Sequence, residues 1–153
     1  MTLSRGLFTS STWEWHTPSD LRAAIDIEFG TTFDPCPGGT RDALLIPWEG
    51  RVFVNPPYGR VLTRWVEKGL LELRAGRAEL IIWLLPARTD TRWFHDLLFP
   101  NAKEIRFLRG RVHFENGEGR SGPAPFPSMI VVMEARHHPP ETTPNPAARK
   151  EVK

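Results

Sequence analysis

Apolar residues recur along this chain in two periods, and the changes between them mark out alternating helices and strands. The first helix is well punctuated: Thr17 is placed to cap it, Pro18 suits N1, and Asp20 at N3 faces the positive end of the dipole. Leu21, Ala24, Ile25 and Phe29 form its apolar stripe, and Gly30 is the stop signal. Thr31-Thr32-Phe33 is β-prone and runs into Asp34-Pro35-Cys36-Pro37-Gly38-Gly39, a strand ending in a loop. Val52–Val54 is a short buried strand. After it, Leu62, Trp65, Val66, Gly69, Leu70 and Leu73 repeat at helical spacing, closed by Gly76. Leu80–Leu85 is a continuous apolar run of strand length, ended by Pro86. Trp93, Phe94, Leu97 and Leu98 predict a further helix capped by Thr89 or Asp90. Three more strands are expected at Ile105–Leu108, Val112–Phe114 and Met129–Met133, the last two separated by a Gly- and Pro-rich loop, Asn116–Pro127.

Strands alternate with helices and are then followed by strands alone. That order predicts an α/β fold of five to seven strands in one sheet, mainly parallel with an antiparallel edge, helices covering its faces. Only 20 residues lie between Asp34 and Asn55, too few for two further strand–helix units. The folded domain is expected at 13–135. Residues 1–12 read as a loose arm, and 136–153, Pro-rich and without apolar period, as a disordered tail.

Composition narrows the classes. With 153 residues, 40% of them apolar, including six Trp and nine Phe, the chain has enough to build one core. No apolar run reaches membrane-span length and no signal peptide is visible, so no membrane association is expected and a cytoplasmic setting is the default. The single Cys36 leaves no intrachain disulfide to form, and no Cys/His spacing calls for a metal. A net charge of +2 does not by itself point to nucleic acid. Lys103, Arg106, Arg109, Arg111 and Arg120 do cluster within 18 residues, as a phosphate-facing stripe or a solvated face.

The most informative segment is Arg51-Val52-Phe53-Val54-Asn55-Pro56-Pro57-Tyr58, followed by Gly59. Two prolines stiffen a strand end and remove two backbone donors. What remains is one amide, unpaired carbonyls and a hydroxyl-bearing ring at the carboxyl edge of a sheet, where open α/β sheets bind ligands. The Asn55 oxygen and the Pro56 carbonyl can accept both N–H bonds of an exocyclic amine, which favours a pyramidal nitrogen with its lone pair directed outward. Tyr58 can stack on the attached heterocycle. Stacking worth ~1–3 kcal/mol offsets much of the few kcal/mol needed to rotate a base out of its helix. Asp34, at another strand end, offers a carboxylate to an ammonium, and a helix N-terminus at Thr17-Pro18 suits a carboxylate. Trp13 and Trp15 either wall such a site or pack on the core.

Asn-Pro-Pro-Tyr in this setting resembles the motif of S-adenosylmethionine-dependent amino-methyltransferases. The ordered series Trp15-His16-Thr17-Pro18, Phe29-Gly30, Phe33-Asp34-Pro35-Cys36, Val54–Gly59, Trp65, Leu85-Pro86-Ala87-Arg88, Phe107–Phe114 and Ala124–Ser128 resembles the phage-type DNA adenine-N6 methyltransferase (Dam-like) family over about 13–134. The resemblance implies a reduced Rossmann-like methyltransferase sheet, S-adenosylmethionine as methyl donor, DNA, double- or single-stranded, as acceptor, and a phage or prophage origin. It implies that Asn55, Pro56, Pro57 and Tyr58 are catalytic and that Trp15, Thr17, Pro18, Asp34, Pro35 and Cys36 meet the cofactor. Asp42 is a candidate acceptor for the cofactor's adenine amine, and Arg88, Arg109 and Arg111 are candidates for DNA contact. No separate recognition domain is visible, so sequence preference must come from loops or from a second subunit in a homodimer.

Other readings share some of these residues. Asn-Pro-Pro-Tyr also serves enzymes that methylate RNA adenines or a protein glutamine amide. Pro35-Cys36 mimics the nucleophilic dipeptide of cytosine C5 methylation, but it sits where the cofactor loop is expected. A non-catalytic DNA- or cofactor-binding remnant would explain the short Asp34–Asn55 stretch but not an intact Asn55 and Tyr58.

Overall fold

A computed structural model describes residues 16–37, 41–115 and 121–135. The N-terminal arm, Trp13, Trp15, Gly38-Gly39, Arg120 and the C-terminal tail lie outside these residues. Helix α1 spans Ser19–Phe29 and α2 spans Leu62–Arg74. The strands are β1 Gly50–Val54, β2 Ala78–Pro86, β3 Glu104–Phe107, β4 His113–Glu115, β5 Ser121–Pro123 and β6 Ser128–Glu134. Short 3-10 turns cover Arg41–Leu44 and Phe99–Asn101, and Phe94–Leu98 is a π-turn.

The fold is α/β, but the sheet is not mainly parallel. Four strands run in the order β1-β2-β6-β3, and β4 with β5 forms a separate two-stranded ribbon. Only β1 and β2 pair in parallel; β6 is antiparallel to both β2 and β3. The expectation of one sheet with an antiparallel edge is therefore corrected: the antiparallel strand is internal. Burial explains the placement. Met129–Met133 is apolar on both faces and fully enclosed, whereas β3 alternates charge with Ile105 and Phe107 and suits an edge. The predicted strand at Thr31–Phe33 reduces to a single parallel bridge between Phe33 and Val52. The expected 116–127 loop contains β5.

Two cores flank the sheet. Ile81, Trp83 and Leu85 of β2 pack with Leu62, Trp65, Val66, Leu70 and Leu73 of α2. Leu80, Ile82 and Leu84 point the other way, onto Ile25 of α1 and the Phe114 and Phe126 rings. Both helices end as predicted: Gly30 and Gly76 adopt φ of 63° and 72°, left-handed conformations that favour glycine. The α1 start differs. Pro18 occupies the N-cap without a side-chain cap bond, Ser19 and Asp20 open the first turn, and Ala24 is exposed rather than on the buried stripe. The helix expected after β2 is a π-turn, and neither Thr89 nor Asp90 caps it. Instead His95 Nε2 lies 2.7 Å from the Thr89 carbonyl, and Thr91 Oγ1 donates to the Arg88 carbonyl.

The short connection between Asp34 and β1 reaches the core through Trp48, with Cys36 and Ala43 also buried. Trp48 is fully buried, its Nε1 donates to the Ala43 carbonyl at 2.9 Å, and its ring meets those of Trp65 and Trp83.

Candidate functional site

Because β6 is antiparallel to both neighbours, β3 runs in the same sense as β1 and β2. Their carboxyl ends therefore share one edge with the amino end of β6. The loops on this edge include Asn55–Val61, Ala87–Arg92 and Leu108–Val112, with Ala124–Pro127 leading into β6. The Phe33–Val52 bridge adds Asp34 on the outer side of β1.

Asn55 is held at both ends of its amide. Nδ2 donates to Thr17 Oγ1 at 3.1 Å, and Oδ1 accepts from the Tyr58 hydroxyl at 3.0 Å. The same hydroxyl lies 3.3 Å from the Leu84 carbonyl of β2. Thr17 does not cap α1 because its hydroxyl is turned to Asn55. Pro56 is buried and Pro57 half-buried, so the backbone between these groups is stiff as well as enclosed. Burial holds the Tyr58 phenol well above its ordinary pKa, so it stays a neutral hydroxyl. Its ring meets Phe126 and Phe114 edge to face, at 5.2 and 6.2 Å between centroids.

Beside Tyr58 opens a pocket of about 310 Å³, lined by Tyr58, Gly59, Leu62, Pro86, Arg88, Trp93 and Phe126. Three aromatic walls and one cation suit a planar, electron-rich ring joined to an anion. The Arg88 guanidinium sits 5.7 Å above the Phe126 ring. The sequence signalled Trp93 only as an apolar helix residue; its place in the pocket comes from the turn at Thr89–Thr91.

Asp34 sits beside this centre and is already engaged. Oδ2 accepts from Arg22 Nη1 at 2.6 Å and Oδ1 from the Cys36 N–H at 2.8 Å. Burial nevertheless pushes its carboxyl above the usual range, outweighing the Cys36 N–H bond and the Arg22 charge. The carboxylate is held by one guanidinium and one backbone N–H, which leaves oxygen lone pairs over. Pro35 and Cys36 are buried next to it, while Asp42 is exposed on its 3-10 turn. Arg88, Arg109 and Arg111 are all exposed on the shared edge. Among the described residues no group of three or more His, Cys, Asp or Glu side chains could hold a metal, and no helix is long and apolar enough to cross a membrane.

A sequence model of the DNA N-6-adenine-methyltransferase (Dam) family matches residues 7–151, nearly the whole chain. The chain belongs to the Dam family. Methylation of adenine in DNA is therefore its chemistry at the level of the family. No curated protein matches the chain. Within this Dam-family chain, Asn55 and Tyr58 stand at the end of a buried parallel strand, bonded to each other, with Asn55 also bonded to Thr17.

Proposed function

We propose that this protein transfers a methyl group from S-adenosylmethionine to the exocyclic amine of an adenine rotated out of DNA. The observation that carries this reading is the doubly held amide of Asn55 in a chain of the Dam family. An acceptor held at both ends is preorganised for an amine whose protons become more acidic as its nitrogen takes up the methyl group and its positive charge, and such fixed groups need no reorganisation during reaction. The oxygen has a second lone pair beyond the bond from Tyr58, and the Pro56 carbonyl is the other acceptor. The adenine ring enters the pocket between Tyr58, Trp93 and Phe126, and Arg88 meets its phosphate.

The residues present fit the cofactor. Asp34, held by one guanidinium and one backbone N–H, keeps carboxylate lone pairs that the donor's ammonium could meet. The amino end of α1, at Pro18, follows Thr17, which bonds Asn55, and a helix N-terminus suits a carboxylate. When bound, S-adenosylmethionine supplies a methyl already activated on a sulfonium, so no protein nucleophile is required. The chain's part is alignment, which can account for up to ~7–11 kcal/mol of barrier reduction.

Tritium transfer from labelled cofactor to adenine-containing DNA, with RNA and a glutamine peptide alongside, tests the proposal. DNA should be labelled, and Asn55→Ala should lower the rate about 100-fold or more while cofactor affinity holds. Normal labelling by Asn55→Ala would end the reading.

A further inference from the structure

The cations of this protein are sorted by where they stand. Among the described side chains, Arg22, Arg51, Lys68, Arg77, Lys103 and Arg106 each pair with a carboxylate. Two residues of the sequence-predicted basic stripe, Lys103 and Arg106, are thereby occupied. Of the other seven, six lie on or beside the edge that carries Asn55, all exposed: Arg60, Arg64, Arg88, Arg92, Arg109 and Arg111. None of these six has a carboxylate partner among the described residues. Over residues 55–64, 86–93, 108–112 and 124–127 the only acid is Asp90. Asp34, the half-buried acid of the site, lies beyond β1 on the outer side.

Fold stability does not account for this placement. Arg60 and Arg64 stand just before and within the first turn of α2, which holds no acid. A cation there faces the positive end of the helix dipole and is unfavourable. The seventh unpaired residue, Arg74, lies in the last turn of the same helix, where the dipole favours it. Its position has a structural reason; those of Arg60 and Arg64 have none within the fold. Uncompensated arginines around a concave site are what a polyanion requires, since guanidinium pairs with phosphate in a forked geometry.

We propose that these six arginines form one surface that grips the DNA backbone around the target adenine, with Arg60, Arg64 and Arg92 extending the contacts of Arg88, Arg109 and Arg111. The inference rests on the methyltransferase reading for its partner. Its positive side spans β1 to β3, and the negative side at Asp34 is left to the cofactor.

DNA affinity measured against salt concentration tests it, on a duplex and on its separated strand, taking whichever binds more tightly. Six phosphate contacts on a duplex give a log–log slope of about −5, and each one lost removes about one unit, somewhat less on a single strand. Arg60→Ala, Arg64→Ala and Arg92→Ala should each weaken binding and flatten the slope by that amount, with cofactor affinity and melting temperature at or above wild type. Arg74→Ala, equally exposed and unpaired but at the far end of α2, should leave the slope unchanged. Slopes unaltered by the edge variants, equal flattening by Arg74→Ala, or no DNA binding at all would overturn the proposal. If DNA binds with the expected slopes but takes up no methyl group, the surface stands and the methyltransferase reading falls. If adenine is methylated while the edge variants keep the wild-type slope, only the surface falls.

Discussion

The Tyr58 hydroxyl and the Asn55 side-chain oxygen lie 3.0 Å apart, so the aromatic ring and the amide of the motif act on one another. A stacking role for the ring alone would make Tyr58→Phe harmless. The contact predicts otherwise. A net hydrogen bond is worth ~0.5–1.5 kcal/mol, so Tyr58→Phe should lower single-turnover rates about 3- to 10-fold while DNA affinity stays near wild type. Thr17→Val, which releases the other end of the amide, should behave alike, and Thr17→Ser should restore the rate. Wild-type rates in both Tyr58→Phe and Thr17→Val would remove the clamp from the mechanism.

Asp34 tests the cofactor side. Asp34→Asn keeps an acceptor for the Cys36 N–H but removes the charge offered to an ammonium. Cofactor affinity should fall about 10- to 100-fold, from ~1.5–3 kcal/mol for a charge-assisted bond. Arg22→Ala removes the guanidinium that shares Asp34 and should leave affinity equal or higher. Calorimetry on the two variants decides; unchanged binding in Asp34→Asn would make the Arg22–Asp34 pair purely structural.

Glu72 ties α2 to the Trp48 segment. Its buried carboxylate accepts from Arg77 Nε at 2.6 Å, Lys68 Nζ at 2.5 Å and the Trp48 N–H at 3.2 Å. The Arg77 hydrogen bonds, helped by Lys68 and Trp48, outweigh burial and hold its pKa at about 2. A depressed carboxylate contributes stability that is full above its ordinary value of 4.5 and lost as pH falls through about 2. Glu72→Gln should therefore cost about 3 kcal/mol at pH 7, near the low end for a broken buried pair because Arg77 can turn to water. Denaturant midpoints of variant and wild type should converge towards pH 2. A constant difference from pH 7 down to pH 2 would contradict this assignment.

Gly69 lets α2 approach the sheet closely at Trp83. A Cβ there would collide with Trp83 Cζ2 and lie 2.8 Å from Cη2, and Trp83 is fully buried with no room to retreat. Alanine gains ~1 kcal/mol in helix propensity, but overpacking costs ~1–3 kcal/mol or more. Gly69→Ala should be net destabilising by denaturant unfolding, and less so in combination with Trp83→Phe than the two changes summed. A more stable Gly69→Ala would show that α2 can shift outward.

What could be read from the sequence was local. The strand end at Asn55 announces itself through an apolar run, two prolines and an aromatic, all within eight residues. The α2 stripe and its glycine stop follow from helical period, and the family resemblance rests on motifs of the same short range. Strand order was not local. Period shows that Met129–Met133 is buried, but not that it inserts between β2 and β3, because pairing is chosen by which neighbours can cover both faces. Trp48 gave no signal, since a lone tryptophan in a loop shows its role only once Trp65 and Trp83 converge on it. Thr17 and Asn55 stand 38 residues apart and meet only because α1 begins beside the end of β1. The division of the arginines has the same origin. Charge along the chain shows how many cations there are, but only tertiary structure, among the described residues, brings carboxylates to six of them and leaves six others around Asn55 without one.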